Sequence, residues 1–299
     1  MLNNKKLSYR YLQWLLFTVL CLIWGSSFLL MKIGLQTLSA YEVAAIRILS
    51  AGIVLLPFAV KAFTKIPKEK WGIIFISGLL GSFFPAFLFC IAETKISSAL
   101  TGMLNALTPL FTVIIGTVFF KANTNIQKLI GIGIGLIGLY FLITPTGNLN
   151  IENLAFTSLV ILATIFYASN VNIVSKQITG LKPLDIAAIA FIFLIIPSIS
   201  ILAFQGFFGR NLGQTSTLQS VFAACILGII GTAFASVLFY QLVKIAGALF
   251  ASTVTYGIPF IAVIWGIMYG EKVTLLQMIC LSIILIGVYI VNKSNKKSN

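Results

Sequence analysis

The chain has 299 residues, of which 59% are hydrophobic and 9% charged, where an ordinary soluble domain carries about 25% charged residues. So little charge excludes a water-facing surface over most of the molecule and leaves helices that are apolar all round, the composition of an integral membrane protein. The net charge of +14 does not point to nucleic acid, because the basic residues lie in short gaps between apolar runs, not on one face or in a tail.

A helix needs about 20 apolar residues to cross a bilayer. Ten such runs succeed one another: 12–34, 41–61, 71–92, 97–120, 127–144, 153–175, 184–205, 218–243, 248–270 and 274–292. The basic leader MLNNKKLSYR precedes the first run. That run lacks a small-residue cleavage site and is too long for a signal-peptide core, so it reads as a retained helix.

Polar side chains at mid-depth must face a cavity or a partner, since facing lipid is costly. In the first span these are Trp24, Ser26 and Ser27. The second carries Arg47, about two turns in. It faces a cavity where it could grip a carboxylate bidentately, or it snorkels to the interface, or it ties to a carbonyl or to a carboxylate such as Glu93. The third span offers Phe84 and Phe87. In the fourth, Asn105 and Thr108 precede Pro109, a residue that removes a helical hydrogen bond and marks a candidate hinge. The fifth holds Gly131, Gly133, Gly135 and Gly138, a surface for close helix packing, not a phosphate loop, since no Lys-Ser/Thr comes after it. The sixth has the most polar centre, with Tyr167, Ser169, Asn170 and Asn172. The eighth adds Phe239 and Tyr240, and the ninth adds Thr255 and Tyr256 before a second candidate hinge, Pro259. Serine and threonine also satisfy their own backbone or join helices, so the expected substrate-binding set is Trp24, Ser27, Arg47, Phe84, Asn105, Thr108, Tyr167, Asn170, Tyr240 and Tyr256.

The positive-inside rule tests the count. With both termini cytoplasmic, fifteen of the 20 Lys and Arg residues fall on the inner side and four on the outer, with Arg47 inside the membrane. A span missed or invented mid-chain would largely cancel that asymmetry.

The first half also recurs in the second. KISSALTGMLNALTPLFTVIIG, from Lys95, aligns with KIAGALFASTVTYGIPFIAVIWG, from Lys244. GLLG at Gly78 aligns with GIIG at Gly228, and LIGLY at Leu136 with LIGVY at Leu285. Units of 1–146 and 147–299 each hold five spans, an odd number, so the second must enter the membrane inverted. Inverted repeats of this kind are a transporter architecture with a midplane site between the halves.

These residues resemble the EamA-type branch of the drug/metabolite transporter superfamily. The likeness lies in LIWGSSFLLMKIGL, the arginine in AAIRILSAG, the LTPLF and GIPFI centres, and the terminal GEKVTLLQ and LIGVYIV. The resemblance implies a ten-helix, five-plus-five fold that carries small metabolites, often amino acids outward, across a bacterial inner membrane. One departure is visible: Gly270-Glu271 after the ninth span is matched after the fourth by Phe120-Lys121.

With no histidine and with Cys21, Cys90, Cys225 and Cys280 scattered inside apolar runs, no metal, cofactor or disulfide framework is expected. No nucleophile–base pair or mid-membrane carboxylate pair argues for an enzyme. The six acids (Glu42, Glu69, Glu93, Glu152, Asp185 and Glu271) lie at or near span ends, which favours facilitated or exchange transport over a proton relay; Glu93 is the one that could dip into a cavity. A lipophilic-drug or sugar-type carrier and a non-transporting scaffold are the competing readings. The expected partners are a small-molecule substrate and the bilayer; oligomeric state is left open.

Overall fold

The computed structural model describes residues 2–144 and 151–295. The expected boundary at 146/147 and the side chains of Lys5, Lys6, Glu152, Lys296 and Lys297 lie outside the described residues. Among the described residues helix is the sole regular structure. Seven spans run α1 (Arg10–Gly34), α2 (Ala40–Phe63), α3 (Lys68–Glu93), α4 (Ser98–Phe120), α5 (Ile126–Ile143), α6 (Leu154–Lys176) and α7 (Pro183–Phe204). The next helical stretch, Thr215–Met268, is far too long for one crossing and breaks at Gly247, where φ 80° and ψ 167° leave the helical region. That backbone suits a residue without a Cβ. It divides the stretch into α8 (215–246) and α9 (248–268), and α10 (Leu275–Lys293) completes ten crossings among the described residues.

Local chemistry sets several helix starts. Ser39 and Glu42 form a reciprocal capping box at α2, with Ser39 N donating to Glu42 Oε2 at 2.7 Å and Glu42 N to Ser39 Oγ at 3.2 Å. Ser97 caps α4 and Asn125 caps α5 through single side-chain oxygens. Successive spans run antiparallel. One end of the bundle, here proximal, gathers residues 10, 63–70, 121–125 and 176–182. The distal end gathers 34–40, 93–98, 204–215 and 270–274.

Lipid is as apolar as leucine, so helices in a membrane are held by close packing and buried hydrogen bonds rather than by burial from water. The two most extensive packings join helices in matching places of the two halves, α2 with α7 and α5 with α10. Between α5 and α10 the backbones nearly touch: a Cβ on Gly287 would lie 2.5 Å from the Gly131 carbonyl oxygen, and one on Gly131 would lie 2.6 Å from that of Gly287. The glycine run of the fifth span is thus a helix-contact face.

Irregularities recur between the halves as well. A π-helical turn interrupts α3 at Leu79–Phe83 and α8 at Ile229–Phe234. α4 is broken between Asn105 and Thr108, and α9 passes through a 3-10 turn at Thr253–Tyr256. These breaks place Pro109 and Pro259 in the first turn of a new helix, where a backbone N–H has no helical partner to lose. The Asn105 carbonyl, deprived of an amide by Pro109, accepts from Thr108 Oγ1 at 2.9 Å.

Candidate functional site

The two π-helical turns and the two broken helices converge on one cavity of ≈ 70 Å³, room for a few waters. Both halves contribute to its wall. From the first come Trp24 and Ser27 of α1, Arg47 of α2, Gly81, Ser82 and Phe89 of α3, and Asn105 and Thr108 of α4. The second supplies Tyr167 and Asn170 of α6, Gly231, Thr232, Phe239 and Tyr240 of α8, and Ser252 and Thr255 of α9. A π-helical turn inserts an extra residue, rotates the rest of its helix and frees carbonyls from the helical ladder. Two side chains use these carbonyls: Trp24 Nε1 donates to Gly231 O at 3.0 Å, and Thr232 Oγ1 donates to Leu227 O at 3.0 Å.

The aromatic walls match across the halves. Trp24 lies against Phe239, ring centroids 5.2 Å apart, and Tyr167 stacks on Phe89 at 5.7 Å. Trp24-Gly25-Ser26-Ser27 and Tyr167-Ala168-Ser169-Asn170 hold equivalent stations. Ser27 faces Gly231 across one contact and Asn170 faces Gly81 across the other. Asn170 Oδ1 accepts from Ser77 Oγ at 2.5 Å.

Arg47 breaks this symmetry. It comes after Ala44-Ala45-Ile46, while the matching Ala187-Ala188-Ile189 of α7 leads into Ala190. Arg47 is 6% exposed as a whole residue and does not snorkel. Its Nε donates to Thr232 Oγ1 at 2.7 Å, Nη1 lies 3.9 Å from Met31 Sδ, and no carboxylate pairs with it among the described residues. A guanidinium has five N–H donors in a planar fork, so a buried arginine on the Thr232 hydroxyl and the Met31 thioether, with the Tyr167 hydroxyl beside it, keeps donors to spare.

Eight of the ten expected site residues, Trp24, Ser27, Arg47, Asn105, Thr108, Tyr167, Asn170 and Tyr240, meet at this cavity. Phe84 and Tyr256 lie outside it. Phe84 comes directly after the π-helical turn, which swings it outward to 41% exposure beside Phe166. The 3-10 turn before Pro259 points Tyr256 at α10, where its hydroxyl accepts from Asn292 Nδ2 at 2.5 Å. Polar neighbours of the expected set serve as helix contacts: Ser26 accepts from Trp265 Nε1, and Asn172 Nδ2 donates to the Thr112 and Ala168 carbonyls. Thr232 and Phe89 were not singled out by sequence reasoning, and Gly81 and Gly231 only as the ends of the repeated GLLG and GIIG segments, not as cavity residues. The paired GLLG and GIIG segments were the available signal, since they mark the two turns.

The distal end holds two carboxylates in contrasting surroundings. Glu271 Oε1 accepts from Ser98 N and Ser98 Oγ, and Oε2 from Ala99 N, each at 2.9 Å, which closes the start of α4 with charge-assisted bonds. In the first half Lys121 adopts the left-handed backbone that Gly270 adopts in the second, so Ala122, not Lys121, stands where Glu271 does. Glu93 is 1% exposed, and neither of its carboxyl oxygens has a hydrogen-bond partner.

The family model for EamA-like transporters matches this chain twice, over residues 12–144 and 156–293. The chain belongs to the EamA-like transporter family. Its likeness to individual transporters runs nearly end to end. A transporter of Archaeoglobus fulgidus is 25% identical over 93% of this chain and 98% of its own length. The inner membrane transporter YedA of Escherichia coli K12 is 26% identical over 91% of this chain and 88% of its own. A Salmonella typhimurium protein named as a probable amino-acid metabolite efflux pump is 28% identical over 54% of this chain and 52% of its own. One solved crystal structure superposes with a TM-score of 0.66 at 14% identity, covering 95% of this chain and 98% of that one, and shares the fold. This EamA-like protein is therefore a multi-pass membrane transporter.

Proposed function

We propose that this transporter moves small carboxylate-bearing metabolites, amino acids or close relatives, outward across a bacterial inner membrane. Both termini face the cytoplasm, and the two halves alternate access to the cavity around Arg47. Arg47 carries the proposal: a buried guanidinium on the cavity wall, bound to a hydroxyl and a thioether and to no carboxylate of the chain among the described residues. A substrate carboxylate supplies the missing counter-charge, and the aromatic pairs on either side suit an apolar side chain. The asymmetry of the basic residues supports the orientation. The Salmonella relative's name supports the substrate class and direction. Substrate moves by facilitated or exchange transport, with no acidic side chain among the cavity-lining residues.

A lipophilic-drug carrier is the second reading, favoured by the phenylalanine and tryptophan walls. Counterflow in proteoliposomes separates the two. Amino acids exchange in the wild type, and Arg47→Met weakens half-saturation by about ten- to one-hundred-fold, the worth of a charge-assisted pair. Arg47→Lys recovers part of that loss, because an ammonium cannot make the bidentate fork. Unchanged amino-acid counterflow in Arg47→Met would sink the assignment, and flux of lipophilic cations alone would favour the drug carrier.

A further inference from the structure

Glu93 ends α3 one turn beyond Phe89, which lines the cavity, and stands at the distal end of the bundle. Its side chain is almost wholly removed from solvent, and both oxygens lack a donor. An ionised carboxylate in such a place loses its hydration and regains no hydrogen bond, whereas a carboxylic acid loses far less.

The charged groups facing it do not supply a partner. Lys32 of α1 and Arg47 of α2 exert attraction and Glu271 beyond α9 repulsion, while Cys90 on its own helix is the neighbouring titratable group. Neither cation forms an ion pair with Glu93, and Arg47 is turned toward Thr232 and Met31. Glu271 is held by three donors of α4. Its charge therefore stays close to Glu93. No group of three His, Cys, Asp or Glu side chains gathers among the described residues.

We propose that Glu93 is a proton-binding site at the distal end of the transporter, protonated in the closed arrangement and ionised only once that end opens to water. The proton leaves to distal water on opening and returns from the same side on closing, so the site adjusts the balance of states without driving net transport. Alkaline distal pH favours the open form and acid favours the closed form. Between the titration points of the two forms, the open-to-closed ratio changes by up to about tenfold per pH unit. The role in gating rests on the alternating-access reading above; the proton site itself does not.

The test uses the full chain in lipid nanodiscs and needs no substrate. Infrared difference spectra of wild type against Glu93→Gln, at neutral pH, are expected to show the stretch of a protonated carboxyl; its absence overturns the site. Cys90, fully buried three residues before Glu93, reports opening through its rate of modification by a thiol reagent, measured by peptide mass spectrometry. Dividing the wild-type rate by that of Glu93→Gln at each pH removes the thiol titration that the two proteins share, and the Glu93 charge beside Cys90 disfavours the thiolate and so slows the wild-type reaction, against the expected rise. The ratio is expected to start near one in acid and climb by up to about tenfold per pH unit as Glu93 ionises. A ratio flat across the range overturns the gating role. Glu93→Met serves as the uncharged reference should the glutamine variant fail to give monodisperse protein. Absence of amino-acid counterflow would count against the proposed function and leave these two readouts standing.

Discussion

Removing the Glu271 carboxylate tests whether one side chain at the end of α9 secures the beginning of α4. Its two oxygens take three donors, Ser98 N, Ser98 Oγ and Ala99 N, all at 2.9 Å. Glu271→Ala strips the acceptors from two helix-start amides and removes a negative charge from the positive end of a helix. A lost cap costs about 0.5–2 kcal/mol and the lost charge–dipole attraction about 0.3–1 kcal/mol. Glu271 is half-buried, so water re-satisfies part of what is lost, and Ser97 Oγ still accepts from Leu100 N at 3.2 Å. The expected destabilisation is therefore about 1–3 kcal/mol. Glu271→Gln keeps one acceptor oxygen but turns an amide group toward a donor, which places it between wild type and alanine at about 1–2 kcal/mol. Reversible unfolding in mixed micelles, titrated with an anionic detergent and read by tryptophan fluorescence, measures both. An alanine variant within about 0.5 kcal/mol of wild type, or one more stable than the glutamine variant, would refute the reasoning.

Two further substitutions probe the helix contacts. Gly287→Ala puts a Cβ 2.5 Å from the Gly131 carbonyl, a rigid backbone atom, so α5 and α10 must separate; the same unfolding titration should show a loss of about 1–3 kcal/mol. Gly133→Ala, whose Cβ would meet nothing within 4 Å, serves as the control on α5 and should not destabilise. Gly81→Ala would drive a Cβ to 2.2 Å from Asn170 Nδ2 at the cavity wall. It is expected to cut counterflow at least about tenfold while leaving the unfolding midpoint within about 1 kcal/mol, since a side chain can shift where a backbone cannot. Full transport by Gly81→Ala would show that the Gly81–Asn170 contact does not govern the cavity.

The ten crossings were legible in the chain alone. Runs of about 20 apolar residues and the distribution of Lys and Arg are set by bilayer thickness and the cost of moving charge across it, neither of which depends on how helices pack. The division at 243–248 shows this: by helix length alone Thr215–Met268 is one unbroken stretch, while Lys244 and Gly247 mark the turn in the sequence. Arg47 was legible as a buried charge but not as to its partner, because Thr232 stands 185 residues away. The direction a side chain takes also escaped the sequence wherever the helix departs from regular geometry. Phe84 and Tyr256 left the cavity because a π-helical turn and a 3-10 turn change the angle per residue, and the pattern of apolar residues carries no mark of either.

The amino-acid sequence by itself thus determined a ten-span membrane protein with two related halves and a polar midplane, since hydrophobicity, charge and repetition are local properties summed along the chain. Tertiary structure alone decided which polar groups share the cavity, that Arg47 bonds to Thr232, that Glu271 joins the local cap Ser97 in closing α4, and that Glu93 is left without a hydrogen-bond partner. Each of those depends on distances between helices far apart in the chain, and they are set by how closely small residues such as Gly131 and Gly287 let backbones approach.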